Sequence, residues 1–258
     1  MLRDAVGRSF DFDQPPRRVV SLVPSLTETL FDLGAGDAVV GITNYCIFPT
    51  ELDVPRVGGT KNPDVEAIRG LAPDLVDMNL EENLPRHARE IERFAPVFVT
   101  EPRTIVDVVA LITTLGAIHR RSERAAELLE DLRGELSNAR RQVFTFACPI
   151  WKKPWMWCGG DTYVANLVAA AGGVNVLQNK SRYPQSELEV IAAMKPEVVL
   201  VPDEPYAFSE DEAAEIGERT GARIIGPFPG HLVTWHGART IAGLRFLRET
   251  LALSPAGR

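Results

Sequence analysis

The sequence predicts an α/β protein of two lobes with mainly parallel sheets, and three observations carry that reading. Short apolar, β-branched runs alternate with segments of helical periodicity, the pattern of strand–helix units in a parallel sheet. One helix-then-strand phrase is written twice, "VEAIRGLAPDLV" from Val65 and "LEVIAAMKPEVV" from Leu188, 123 residues apart. Glu66 aligns with Glu189, Ile68 with Ile191, Pro73 with Pro196 and Asp74 with Glu197. Between the copies, "TIVDVVALITTLGAIHRRSERAAELLEDLRGELSNARRQ" has no proline and is rich in helix formers.

The first strand is "RRVVSL", Arg17 to Leu22, set off by Pro15 and Pro16. Ser25 stands three residues before Glu28, a capping-box spacing, and Leu26, Leu30 and Leu33 recur at helical intervals. Gly34 and Gly36 end that helix, and "AVVGIT" is the next strand. Beyond the loop "NYCIFPTELDVPRVGGTKNP" come a short helix from Asp64 to about Leu71 and Pro73 as a breaker. The strand "DLVDM", a helix through "RHAREIERF" and the strand "PVFVT" follow. One helix then runs to about Ile118 and a longer one from Ser122 to Arg140, roughly 28 Å long at 1.5 Å per residue. The second is either an ordinary surface helix or a rigid strut.

After it the pattern restarts. "RQVFTFA" mirrors "RRVVSLV", and "NLVAAAGGVNVL" mirrors "TLFDLGAGDAVV" at an offset of 137, with Gly173 matching Gly36. The second half therefore carries about 14 extra residues after its first strand, around "CPIWKKPWMWCGG". The expected organisation is an N-terminal lobe over 1–118, a connecting helix over 119–141 and a C-terminal lobe over 142–258. Both lobes are Rossmann-like, joined by a long rigid α-helix, with a ligand cleft between them.

A net charge of -7 and a pI near 5.3, with no basic stripe, argue against a nucleic-acid partner. No apolar run approaches the roughly 18 residues that span a bilayer. If Met1 is the native start, the absence of a signal-length apolar stretch points to the cytoplasm; the alternative is a periplasmic or extracellular protein with its signal peptide removed. Three cysteines cannot all pair internally. A monomer is expected. The chain lacks "GxSxG", "HExxH", a glycine-rich phosphate loop and paired "CxxC", so no catalytic residue is assigned and no cofactor is required.

Ligands of open α/β sheets sit beyond the carboxyl ends of the strands, so the loops there hold the candidates. Ser25 lies at a helix start, as a cap or as a contact for an anionic or carbonyl group. Tyr45, Cys46, Asn79, Glu81, Glu82 and Asn83 follow later strands of the first half. The second half holds all four tryptophans: Trp151, Trp155 and Trp157 in the insertion, and Trp235 between His231 and His236. Flat indole faces suit a large planar or conjugated ligand, or else a core. Tyr183, Glu204 and Tyr206 lie on other loops, and Arg182 and Arg239 are available for carboxylate or phosphate groups. Cys46 and His236 are candidate metal ligands, a buried apolar thiol being the other reading of Cys46.

These phrases resemble the substrate-binding proteins of ABC importers for cobalamin, haem and ferric siderophores, the class III or helical-backbone receptors. The resemblance spans nearly the whole chain, from "RVVSLVPSLTETLFDLG", close to the cobalamin-binding branch, through "VGGTKNPDVEAIRGLAPDLV" to "TWHGAR". It implies a non-enzymatic protein holding cobalamin, haem or a ferric chelate, and an importer permease as partner. It also implies that Glu66 and Glu189 dock onto arginines of that permease. Tyr45 matches a ligand-contacting tyrosine, Tyr183 falls where a tryptophan commonly lines the pocket, and Trp235 lies in the stretch that supplies a last aromatic contact. Lys61 and Asn79 stand where some cobalamin receptors have tryptophans. "NYCIFP", "IWKKPWM" and "WHGAR" resemble a subgroup of helical-backbone metal receptors, some without an obvious signal peptide. A second reading is a cytosolic metal-handling or cofactor-modifying protein on the same scaffold, using Cys46, Glu82 and His236.

Overall fold

Each copy of the repeated phrase folds into a six-residue helix, a left-handed residue, a proline and a buried strand. A computed structural model describes residues 2–138 and 143–252. The chain divides into two compact units, residues 1–102 with 106–130, and residues 103–105 with 131–258.

The first unit begins with a small antiparallel hairpin, β1 (Leu2–Arg3) and β2 (Ser9–Phe10). Then come β3 (Val19–Ser21), α1 (Pro24–Asp32), β4 (Val39–Ile42), α2 (Val65–Gly70), β5 (Leu75–Asn79), α3 (Pro85–Ile91), β6 (Val97–Thr100) and α4 (Ile105–Ile118). Helix α5 (Ser122–Ser137) follows and contributes residues to both units. The second unit continues with β7 (Phe144–Ala147), β8 (Pro149–Trp151), β9 (Met156–Trp157), α6 (Tyr163–Ala170), β10 (Gly173–Asn175), α7 (Leu188–Ala193) and β11 (Val198–Pro202). It ends with α8 (Glu210–Thr220), β12 (Arg223–Phe228), α9 (His231–Thr234) and α10 (Arg239–Ala252).

Both main sheets are parallel, and both have the same order: β4-β3-β5-β6 and β10-β7-β11-β12. All five residues of β5 and all five of β11 are buried, as befits a parallel strand covered on both faces. In the first unit Val20, Leu22, Val76, Met78 and Val97 pack with Ile68 and Ile91; in the second Val199, Val201 and Ile216 pack with Leu188 and Ile191.

The acid retained in each copy has a structural cause. The Asp74 carboxylate accepts the Arg17 and Arg18 amides at 2.8 and 2.9 Å, tying the foot of β5 to the start of β3. Glu197 accepts the Thr145 amide and hydroxyl at 2.6 and 3.1 Å, tying β11 to β7. The residues before the two prolines, Ala72 and Lys195, both turn left-handed, at φ 44° and 51°. The first strands do not keep the offset of the repeat. Val19 opposes Leu75 while Phe146 opposes Val198, so the second strand lies four residues further along.

One sequence expectation changes. Helix α1 starts at Pro24, because proline supplies the right φ at the first helical position; Val23 is its N-cap and makes no side-chain cap bond. Ser25 is thus inside the helix rather than its cap. The two helices expected here are α4 and α5, ending at Ile118 and starting at Ser122 as read from the sequence, and they part where Arg120 turns to φ 56°. Helix α5 has 16 residues, roughly 24 Å; its expected end at Arg140 lies outside the described residues, as do Arg141 and Gln142. The "CPIWKKPWMWCGG" insertion is the antiparallel β8–β9 hairpin.

One buried group has no evident place in this scheme. Asp77, in the middle of β5, is 0% exposed and neither carboxylate oxygen has a hydrogen-bond partner. Ser21, opposite it in β3, gives its hydroxyl proton to the Val23 carbonyl instead. Burial pushes the Asp77 pKa up to about 7. The corresponding position of the second copy is Leu200, equally buried.

The folded pKa of Asp77 is above the unfolded value of about 4, so the folded state holds a proton that the unfolded chain has lost between those values. Stability therefore falls as pH rises through that window, and the full loss persists above it. Asp77→Asn should stabilise the protein at pH 8 by up to roughly 4 kcal/mol and leave it unchanged near pH 4. The wild-type-minus-variant difference in urea unfolding, followed against pH, cancels the opposite trend of other groups. A flat difference would refute the buried charge.

Candidate functional site

The carboxyl ends of β3, β4 and β5 form one face of the first unit. There the α1 N-terminus begins without a side-chain cap, with Ser25 buried in its first turn. The Cys46 sulfur sits 3.2 Å from both the Thr27 and Thr43 hydroxyls, and Thr27 donates at 2.8 Å to Ser21. Cys46 is 1% exposed, a packed thiol in a hydroxyl nest. The next residue back behaves oppositely: Tyr45 is 60% exposed. The loop after β5 is shaped by two buried asparagines. Asn79 Oδ1 accepts the Glu81 and Glu82 amides, and Asn83 Nδ2 donates to the Leu22 and Thr60 carbonyls. Glu82 is left exposed on that loop, and the Lys61 ammonium donates to the Glu81 carbonyl.

In the second unit the β8–β9 hairpin carries a run of stacked rings. Trp155 stacks on Trp157 at 5.7 Å and on Phe208 at 6.0 Å; Phe208 meets Tyr206 at 4.7 Å, and Tyr206 meets Trp151 edge-on at 5.4 Å. The Lys152 ammonium lies 5.4 Å from the Trp155 ring centre and is paired with Glu212 and Glu215 at 3.1 and 2.8 Å. Trp157 is 0% exposed and its indole N–H donates to the Ser186 carbonyl at 2.9 Å. Trp155 and Trp157 are thus part of the core, and a ligand contact through Trp157 would require that core to open. Trp151, at 42% exposure, keeps a ring toward solvent.

The loop bearing Arg182 and Tyr183 closes on the hairpin through two glycines. The Gly159 and Gly160 amides donate to the Arg182 and Lys180 carbonyls at 2.7 and 2.8 Å. A side chain at either glycine would strike the backbone of residues 178–182. Arg182 is half-buried, with φ 57° and its guanidinium 5.5 Å from the Tyr183 ring centre.

A second cluster lies beyond β11 and β12. The half-buried Glu204 carboxylate accepts the Thr234 hydroxyl and the Trp235 indole N–H, and desolvation holds its pKa above the usual carboxylate range. Asp203 accepts the Gly230 amide at 2.7 Å, fixing the start of α9. His231 lies 5.6 Å from the Trp235 ring; burial first and the Arg239 charge second lower its pKa. His236 is buried edge-on to Tyr163, with its pKa pushed down to about 3 by burial, which keeps the imidazole neutral. Of the sequence candidates, Trp235, His236 and Arg239 share this segment, whereas Cys46 and Glu82 belong to the first unit. Among the described residues no three His, Cys, Asp or Glu side chains gather as a metal-ligand set. Thr234, Phe208 and Lys152 were not among the sequence candidates, whereas Glu204 was, because "PDEPYAF" leaves the carboxyl end of a buried strand.

Glu66 and Glu189 occupy the same place in α2 and α7, the first turn, with side chains 78% and 64% exposed. Each pairs with an arginine of its own unit, Arg69 and Arg219. No helix among the described residues is long and apolar enough to cross a membrane.

A profile described as "Periplasmic binding protein" matches residues 19–220. The "uncharacterized ABC transporter substrate-binding lipoprotein YvrC" of Bacillus subtilis (strain 168) is 24% identical, over 96% of this chain and 84% of its own length. A "cobalamin-binding protein" of Halobacterium salinarum (strain ATCC 29341 / DSM 671 / R1) is 30% identical, over 76% of this chain and 57% of its own. Among solved structures, the apo form of the "periplasmic heme-binding protein RhuT" from Roseiflexus sp. RS-1 superposes with a TM-score of 0.76 at 24% identity, covering 90% of this chain and 97% of that one. At that identity the likeness is one of fold.

The ring geometry separates two tryptophans. Trp157→Ala should cost roughly 3–5 kcal/mol in urea unfolding, as truncation of a buried aromatic does, and Trp151→Ala less than about 1 kcal/mol. Equal losses would overturn the division into core and surface rings.

Proposed function

The chain belongs to the periplasmic binding protein family, and on that premise we propose that it is the substrate-binding component of an ABC importer whose cargo is cobalamin or a related metal chelate, haem or a ferric siderophore. The family match carries the reading, and the cobalamin-binding relative and the haem-binding neighbour support this ligand class. The protein binds and releases its cargo without catalysis, as a monomer.

The cargo lies against the loops at the carboxyl ends of the strands. Exposed Tyr45 and half-buried Tyr183 are each a ring face available to a macrocycle. Trp235, at 9% exposure, offers an edge. Arg182 and Arg239 serve carboxylate or phosphate groups on its rim. The α1 N-terminus, with its uncapped amide end beside Ser25, suits a carbonyl or anionic substituent. Trp155 and Trp157 support these loops from the core. The lobe and connector boundaries expected from sequence, 1–118, 119–141 and 142–258, belong to this reading. A place outside the cytoplasmic membrane fits it better than the cytoplasm, because the similar proteins are named as a substrate-binding lipoprotein and a periplasmic haem-binding protein.

Glu66 and Glu189 are the contact points for the permease. An exposed ion pair within one unit contributes little, so Arg69 and Arg219 give up their glutamates to an incoming arginine at small cost.

Titration with cyanocobalamin, haemin and a ferric siderophore, read by calorimetry and visible absorbance, should give one saturable site for one of the three. Silence with all three sinks the ligand assignment. The double variant Glu66→Lys with Glu189→Lys should bind that ligand as tightly as wild type yet lower importer-dependent uptake about tenfold or more. Unchanged uptake would make both glutamates ordinary solvent-facing residues.

A further inference from the structure

Two of the three cysteines meet. Cys148 enters β8 and Cys158 leaves β9, one ladder step beyond the paired residues Pro149 and Trp157. The Cys158 amide donates to the Cys148 carbonyl at 2.9 Å, which fixes the two as directly opposite residues at the open end of the hairpin. Opposite residues of an antiparallel ladder point to one face, with Cα atoms about 5.5 Å apart in a hydrogen-bonded pair. That falls within the roughly 4.4–6.8 Å that a disulfide spans. Both cysteines are free and both are buried, and the Cys148 thiol donates to the Pro149 carbonyl at 3.8 Å. The Asn175 side chain holds the Cys158 carbonyl at 2.9 Å, so the junction is anchored from a third strand. Cys46 belongs to the other unit, where its sulfur lies 3.2 Å from the Thr27 and Thr43 hydroxyls.

We propose that Cys148 and Cys158 are an oxidisable pair whose disulfide closes the base of the tryptophan-bearing hairpin. The oxidant is a disulfide of the surroundings, a small-molecule one or that of a thiol–disulfide oxidoreductase. One cysteine thiolate attacks it, its S–S bond breaks, a mixed disulfide forms and one thiolate leaves. The second cysteine thiolate then attacks the mixed disulfide and expels the other half. Two electrons and the two thiol protons pass from the pair to the oxidant, which ends as two thiols. The neighbouring Cys158 thiol, and then burial, raise the Cys148 pKa, so in the folded chain its thiol stays protonated as well as shielded. The exchange therefore runs during folding or while the hairpin is locally open. Afterwards the link restrains Trp151, Trp155 and Trp157 together. This inference does not depend on the identity of the cargo.

Full-length protein is unfolded, then refolded either in reduced and oxidised glutathione or in a phosphine reductant. Free thiols are counted with Ellman's reagent under denaturing conditions, and the intact mass and linked tryptic peptides are measured. The oxidised sample should lose about 2 Da, expose one thiol instead of the three cysteines of the sequence, and yield a Cys148–Cys158 peptide. It should also melt about 5–10 °C higher than the reduced sample, as expected for a short closed loop. In Cys46→Ser the oxidised chain should have no free thiol. Three titratable thiols after oxidative refolding, or a link that includes Cys46, would overturn the proposal. The main readout uses the wild-type chain, so the folding of a variant does not decide the outcome.

Discussion

Each half of this protein depends on one strand. β5 and β11 are the third strands of their units, buried on every residue and hydrogen-bonded to a neighbour on both sides. A parallel strand of this kind has no edge to expose and no loop that can slide it into register, so its position must be set at its foot. The helix–proline–acid phrase does that. The short helix supplies Ile68 or Ile191 to the core, the left-handed turn and proline end it, and Asp74 or Glu197 anchors the next strand to the unit's first strand. Two different acids reach two different partners, a pair of amides in one unit and an amide with a hydroxyl in the other. The constraint, rather than the individual bond, is repeated.

Against that common frame the differences between the units carry the chemistry. Asp77 replaces the apolar Leu200 within the strand and holds an unpartnered carboxylate in the first core. After β7 the second unit inserts a hairpin where the first runs straight from β3 into α1. The hairpin needs a core of its own, which the Trp155–Trp157 stack and Phe208 provide, and its base is the buried Cys148–Cys158 junction. Aromatic content that reads in sequence as ligand-lining is thus divided, the inner rings serving the fold and the outer ones facing solvent.

The electrostatics of the loops follow burial more than pairing. His236 stays neutral because it is enclosed, and desolvation raises the Glu204 pKa, even with two hydrogen-bond donors on its carboxylate. Charge of both signs stands near these loops, Arg182 beside Asp161 and Arg239 and Asp203 both acting on His231. Aromatic faces with arginines at hand suit the proposed conjugated ligand with peripheral acid groups. The exposed glutamates lie elsewhere, on α2 and α7, where the repeat puts one on each unit at the same turn of the same helix.

Alternating strand and helix, the duplicated phrase and its glutamates were legible in the sequence, because backbone periodicity and proline punctuation are local properties of the chain. The start of α1 was misread for a local reason as well: Pro24 outweighs the Ser25–Glu28 spacing in choosing the first helical residue. What only the tertiary structure decided was which side chains face inward. Trp157 and Trp151 are six residues apart in one hairpin, and nothing local distinguishes them. One is enclosed by Leu188 and Ile191 and donates its N–H to Ser186, while the other ends on the surface beside Tyr206. The same holds for Cys148 and Cys158, whose neighbourhood exists only once β8 and β9 have paired, and for Asp77, whose carboxylate is unusual only because a folded sheet and its helices exclude water from it.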